Sequence, residues 1–183
     1  MKKLQREFFA PDTEIVAKNL LWKVIKVGDK YWIIVETEAY KQDCDEASHA
    51  WWRKTPRNFL MYDTYGYVYV YLIYGMHYCL NFTTDKNKAW AVLLRWIKVL
   101  PSNNLEKFKF NDLQSVEWPG RLTKYFGIDK SFNQLDLLNN DKIEVFDIWF
   151  KVNNIEQTKR IWIKKATDKL WRFVLFCEKQ VNN

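Results

Sequence analysis

Glycine is scarce in this chain: 5 of 183 residues, or 2.7%, against roughly 7% in the average globular protein. Turns that ordinarily use it are therefore absent or written in another residue. The composition excludes collagen and a disordered chain. Cysteine is also sparse. Cys44, Cys79 and Cys177 are an odd number without CxxC spacing, which argues against a disulfide scaffold or a zinc knuckle. Buried, inert, reduced thiols in a cytoplasmic protein fit better. Long apolar runs are missing as well. The N-terminus, Met1-Lys2-Lys3-Leu4-Gln5-Arg6-Glu7, reaches Glu7 and Pro11 before any run of seven apolar residues, so it does not read as a secretory signal. Thr64 to Thr84 is uncharged, but its six tyrosines, two glycines, histidine and asparagine suit a buried strand pair better than a membrane span. No repeat, low-complexity stretch or linker divides the chain, which is expected to form a single domain over 1–183.

What is abundant is tryptophan, with 10 residues, and positive charge. Against 22 Asp and Glu stand 29 Lys and Arg, and the resulting +7 points toward a polyanion such as nucleic acid. Asp12 and Thr13 can cap a helix after Pro11, and Ile15, Val16, Leu20 and Leu21 recur at helical spacing, which predicts a helix over 13–22. Tyr31 to Glu38 reads as a strand after the turn Gly28-Asp29. Asp43 to Ala50 reads as a short helix and Thr55 to Asn58 as a loop or helix start. Strict alternation in Tyr67-Val68-Tyr69-Val70-Tyr71 puts three tyrosines on one face of a strand, and Tyr74-Gly75-Met76 marks a turn. A further strand is expected near Ala91 to Ile97. A short helix should run from Pro119 to Phe126, punctuated by Gly127. Strands near Ile143 to Phe150, Ile161 to Lys164 and Leu170 to Phe176 close the chain. The fold class is α+β, with a mainly antiparallel, curved sheet flanked by short helices.

Taken singly, the reactive residues have bland readings. Glu36 and Glu38 share a face only if their strand is regular, and a strand-end carboxylate is usually solvated. His49, one of two histidines, can be a polar residue of a helix. Tyr40, Tyr71, Tyr74 and Tyr78 can be core, yet they also offer faces for base stacking, worth roughly 1–3 kcal/mol per base. Arg53, Lys54, Arg57, Arg95 and Arg121 can be solvated surface or phosphate partners.

Together these segments follow one pattern. Glu36-Thr37-Glu38-Ala39-Tyr40, Ser48-His49, Thr55-Pro56-Arg57-Asn58, Tyr69-Val70-Tyr71-Leu72-Ile73-Tyr74-Gly75-Met76-His77 with Cys79 and Asn81, and Ala91-Val92-Leu93-Leu94-Arg95 occur in this order. Pro119-Gly120-Arg121-Leu122-Thr123-Lys124 with Gly127-Ile128, and Leu170-Trp171-Arg172-Phe173, follow. The chain resembles the 3-methyladenine (alkyladenine, methylpurine) DNA glycosylase family from Phe8 to about Phe176. The resemblance implies an enzyme of base excision repair that flips a damaged purine out of double-stranded DNA and hydrolyses its N-glycosidic bond, leaving an abasic site. It implies Glu38 as general base and Arg95 as the residue placing the water and the target phosphate. Tyr40, His49 and Tyr71 would hold the flipped base between aromatic faces, Asn81 would crowd an exocyclic amino group at purine C2, and Tyr74 would wedge into the duplex. Arg57 and Arg121 would contact DNA. No lysine stands at a nucleophile position, so a monofunctional enzyme is expected rather than a lyase. No cofactor or metal is expected, nor a membrane, and a monomer suffices. The rival reading is a non-catalytic nucleic-acid-binding module on the same fold.

The chain departs from the family in several places. The block after His49 is one residue short, and Lys98 to Pro101 lacks the usual Glu-Pro. More telling, Trp22, Trp51, Trp52, Trp90, Trp118 and Trp162 all stand where the family's pattern looks like glycine, and Trp32, Trp96 and Trp149 are candidates for the same series. Exchanging the six gives 11 glycines in 183 residues, or 6.0%, close to ordinary usage. The expectation is that these are UGA codons of a source that reads UGA as glycine. The alternatives are a lineage that tolerates bulk in loops, or a locally shifted alignment.

Overall fold

The structure is a computed structural model and describes residues 1–101, 108–148 and 154–175. Ten strands form one sheet in which every pairing is antiparallel among the described residues. In chain order they are β1 (Lys2–Lys3), β2 (Val24–Val27), β3 (Lys30–Tyr40), β4 (Val68–Ile73), β5 (His77–Thr84), β6 (Trp90–Leu100), β7 (Ser115–Glu117), β8 (Ile143–Asp147), β9 (Ile155–Thr158) and β10 (Arg172–Leu175). Three short α-helices, α1 (Thr13–Leu20), α2 (Phe59–Asp63) and α3 (Pro119–Phe126), accompany it. The α+β architecture with a curled antiparallel sheet is therefore observed.

The two long strands, β3 and β6, pair from Tyr31 opposite Leu100 to Tyr40 opposite Ala91 and organise the rest. Each changes its other neighbour part-way along. β3 pairs β2 over Lys30–Ile33 and β10 over Glu36–Glu38, while β6 pairs β5 over Trp90–Leu93 and β7 over Trp96–Lys98. The register of β3 against β6 shifts between Ile34 and Thr37, and such a bulge bends and twists a strand. The sheet curls where the acidic end of β3 begins.

β3 is buried on both faces, so it reads as a run of apolar residues rather than an alternation. Trp32 and Ile34 enter the main core with Leu20, Ile25, Leu80, Phe82, Val92, Leu94, Phe126 and Phe173. Ile33 and Val35 point the other way, to a smaller cluster with Val24, Leu100 and Leu175. In α1 the Asp12 carboxylate accepts the Glu14 N–H, and Val16, Ala17 and Leu20 are buried. The Thr37 hydroxyl donates to the Ala17 carbonyl at 2.9 Å, fixing that helix on β3. α3 begins at Pro119 and ends at Gly127 with φ +67°. A Cβ on Gly120 would meet the His77 side chain at 2.9 Å, so only glycine lets α3 approach β5 this closely.

Several expectations need correction. Asp43 to Ala50 is a series of turns and bends, not a helix. The Asp45 carboxylate accepts the Lys41 and Ala47 N–H groups, a local bonding mode that competes with helix formation. Ile161 to Lys164 is not a strand; the strand there is β9, Ile155–Thr158. The Ile161 N–H is committed to a carboxylate and Trp162 has φ +62°, which no ladder accommodates. The first helix stops at Leu20, since Leu21 is extended. β8 ends at Asp147 and β10 spans Arg172–Leu175, Trp149, Phe150 and Phe176 lying outside the described residues. Cys79 is buried as expected but Cys44 is exposed, and Cys177 is outside the described residues. The strand pair expected within Thr64 to Thr84 is the β4–β5 hairpin. No helix among the described residues is long and apolar enough to cross a membrane.

Of the six tryptophans expected to stand at glycine positions of the family, Trp22, Trp118 and Trp162 have positive φ (+69°, +84° and +62°). For a bulky L-residue this conformation is an outlier. Trp51, Trp52 and Trp90 do not share it. The buried indole N–H groups of Trp32, Trp90 and Trp96 have no hydrogen-bond partner among the described residues.

Candidate active site

The bulged end of β3 carries Glu36, Glu38 and Tyr40, and β6 lays Arg95 against them. Arg95 bridges the two carboxylates, Nε donating to Glu36 at 3.0 Å and Nη1 to Glu38 Oε2 at 3.2 Å. Arg172 on β10 adds a second guanidinium to Glu36. Glu38 is fully buried. Its Oε2 also accepts from the Tyr40 hydroxyl at 2.8 Å, and its Oε1 accepts from the Ile161 N–H at 2.9 Å. Burial raises the Glu38 carboxyl above the ordinary carboxylate range, outweighing Arg95 and the two hydrogen bonds, which pull it down. Burial and the neighbouring carboxylate raise the Tyr40 phenol, which stays protonated and donating.

Beside this cluster lies a cavity of about 400 Å³ lined by Tyr40, Arg57, Tyr71, Tyr74, Cys79 and Arg95, and closed by Trp118–Gly120 and Ile161–Ile163. Its size falls in the range of roughly 300–1,000 Å³ usual for small-molecule sites. A smaller recess of about 20 Å³ adjoins it through Tyr40 and Tyr71, and is bordered by His49, Tyr69 and Asn81. Strand alternation puts Tyr69 and Tyr71 side by side at 5.3 Å, and the His49 ring stands edge-on to Tyr71 at 4.4 Å. His49 Nδ1 is 2.9 Å from the Tyr69 hydroxyl. Burial of the ring, then the Arg57 charge, lower its pKa to about 4. The residue's outer edge is open to water, which moderates the shift, and the imidazole is neutral at pH 7 either way. Burial lifts the Tyr69 phenol to about 12 and the Cys79 thiol to about 11. The Asn81 amide donates to the Tyr69 and Cys79 carbonyls, which fixes its orientation at the recess.

At the rim, Tyr74 occupies the tip of the β4–β5 hairpin with φ +50°, followed by Gly75 at +69°, and is 79% exposed. Leu72 and Met76 flank it, also exposed. Arg57 donates to the Leu72 carbonyl at 3.1 Å and lies 5.5 Å from the Tyr71 ring. Arg121 is exposed on α3, one residue beyond the cavity-lining Pro119 and Gly120, and does not line the cavity itself. Thus Tyr40, Tyr71, Tyr74, Arg57 and Arg95 converge on the cavity, His49 and Asn81 on its recess, with Glu38 sealed directly beneath. Three participants escaped the sequence reading: the Ile161 N–H, Arg172 as a partner of Glu36, and the Arg160–Asp45 ion pair that adjoins Ile161. No local pattern marks them, because each acts across a long stretch of chain.

The family model of methylpurine-DNA glycosylase (MPG) matches residues 7–179. The chain belongs to this family. Proteins named "Putative 3-methyladenine DNA glycosylase" are similar throughout: that of Rickettsia felis is 44% identical over 173 residues, covering 94% of this chain and 92% of its own. The Rickettsia bellii protein is 39% identical over 203 residues, with 94% and 92% covered, and the Rickettsia prowazekii protein 38% over 205, with 94% of each covered. As a methylpurine-DNA glycosylase, the protein is a monofunctional base-excision-repair enzyme that hydrolyses the N-glycosidic bond of damaged DNA.

Proposed function

We propose that the cavity receives a purine flipped out of double-stranded DNA, an N-alkylated one such as 3-methyladenine or a deaminated one such as hypoxanthine, and that Glu38 drives its release. What carries the reading is a buried carboxylate held by three donors beside an aromatic-walled cavity. N-alkylated purines carry positive charge and favour the faces of Tyr40 and Tyr71. A Tyr69 hydroxyl that donates to Nδ1 would keep the His49 proton on Nε2, where it can be offered to the base. Asn81, its amide fixed, leaves little room at the recess for an amino group at C2.

Cleavage develops oxocarbenium character on the sugar, which a carboxylate stabilises while it takes a proton from the attacking water. A raised pKa makes Glu38 a better base than an exposed carboxylate. Arg95, anchored on both acids, keeps a guanidinium edge at the cavity to orient water and phosphate. Tyr74 fills the gap left in the duplex, and Arg57 and Arg121 contact phosphates. The reading includes action as a monomer on chromosomal DNA in a bacterial cytoplasm.

The test uses a duplex with one 3-methyladenine or one hypoxanthine in single-turnover conditions. Glu38→Gln should bind this DNA like wild type and release base about 10²–10⁴-fold more slowly. Release at the wild-type rate rules Glu38 out as the base.

A further inference from the structure

Arg160 is 4% exposed and Asp45 fully buried, and their side chains form a two-pronged ion pair: Nη1 to Oδ2 and Nη2 to Oδ1, both 2.6 Å. The same guanidinium donates to the Ala39 carbonyl at 3.0 Å and lies over the Tyr40 ring at 4.6 Å. Asp45 in turn accepts the Lys41 and Ala47 N–H groups. One contact between residues 115 apart thus ties together the end of β3, the 41–50 loop and the segment after β9. The very next N–H after Arg160, that of Ile161, donates to Glu38 Oε1, and the ring beneath the guanidinium, Tyr40, donates to Oε2. Buried ion pairs seldom add net stability over apolar packing, so a positional role accounts better for this one.

We propose that Arg160 and Asp45 are positioning residues for hydrolysis: their ion pair holds the Ile161 N–H and the Tyr40 hydroxyl on the two oxygens of Glu38, fixing the carboxylate for the attacking water. The inference rests on the reading of Glu38 as general base. The groups facing Glu38 are Glu36 and Tyr40 on its own strand, Arg95 on β6, Cys79 on β5, Arg172 opposite it on β10, and the Ile161 N–H with Arg160 behind it. Ile161, Tyr40 and Arg95 favour the ionised carboxylate, and burial opposes it. When the pair is loosened, the Ile161 N–H withdraws and protonation of Glu38 becomes easier. Base release then fails at a higher pH.

Removing one partner alone would strand a buried charge and unfold the loop, so the variant of choice is Asp45→Asn with Arg160→Gln, which keeps an amide pair in the same space. Single-turnover release from duplex holding one hypoxanthine, followed across about pH 5 to 9, should fall roughly 10–100-fold near neutrality. The acid limb should move to higher pH, and the Kd for the same duplex should stay within about twofold. Arg160→Lys, which keeps the charge but not the fork, should move the limb in the same direction and recover part of the rate, and it supplies the same readout should the double variant not fold. A uniform loss at every pH with the limb unmoved, or a wild-type rate, overturns the proposal. Glu38→Gln separates the two readings. If it cleaves normally, the base assignment has failed; if it is inactive while the paired variant leaves the limb in place, only the positioning role has failed.

Discussion

At the scale of single residues, the tryptophans and Glu38 each lead to a measurement. A left-handed backbone costs an ordinary L-residue roughly 1–2 kcal/mol, a cost glycine escapes. Trp118 and Trp162 carry positive φ with 46% and 72% of their surface exposed, so little burial offsets the cost, whereas Trp22 is 7% exposed and packs on Phe110. Trp118→Gly and Trp162→Gly should therefore each raise the thermal midpoint by about 2–4 °C, the shift expected for roughly 1 kcal/mol in a chain of this size. Trp52→Gly, at ordinary φ, relieves no strain and should lower it slightly. The mass of a natural peptide covering position 118 decides whether glycine is what the source inserts there. Glu38 must be ionised to accept a proton, and its pKa is raised from 4.5. Release should accordingly fall as pH drops through a midpoint above that value. His49, with its pKa lowered by burial of the ring and then by Arg57, is neutral at pH 7, and at that pH His49→Gln should weaken substrate binding.

Among the elements, the β4–β5 hairpin is the one built to project. Positive φ at Tyr74 and Gly75 makes the tight turn whose twist suits a hairpin, and the turn drives an exposed aromatic outward between Leu72 and Met76. Tyr74→Ala should weaken binding to a duplex with a flipped-out lesion more than to undamaged duplex; equal loss on both removes the wedge role. The hairpin was legible in sequence because alternation in Tyr67 to Tyr71 and the Tyr74-Gly75 turn are local signals. Asp43 to Ala50 was not, since its composition suits a helix and only Asp45 pairing with a distant arginine turns it into a loop. The strand after residue 154 was placed too late for the same reason: Ile161 spends its N–H on Glu38, a partner 123 residues away.

For the molecule as a whole, a net charge of +7 predicts that DNA binding weakens steeply with added salt, through release of counterions from the phosphates. If Arg121, exposed and outside the cavity, contacts a phosphate as proposed, Arg121→Ala should reduce the slope of log Kd against log salt by about 1 and leave release from bound DNA unchanged. An unaltered slope would remove it from the phosphate contacts. Exchanging tryptophan for glycine changes no charge, so this expectation holds for either residue. The sequence by itself determined the family, the α+β class and the aromatic and basic content of the chain, and it offered Glu38, Tyr40, Tyr71 and Arg95 as candidate site residues, because the motifs that carry the family resemblance contain them. Only the tertiary structure decided that Glu38 is sealed under the cavity, that Arg95 binds two carboxylates, and that Asp45 and Arg160 meet against the Tyr40 ring. Those facts depend on a bulge in β3 and on contacts between segments more than fifty residues apart, and no local periodicity encodes such closures.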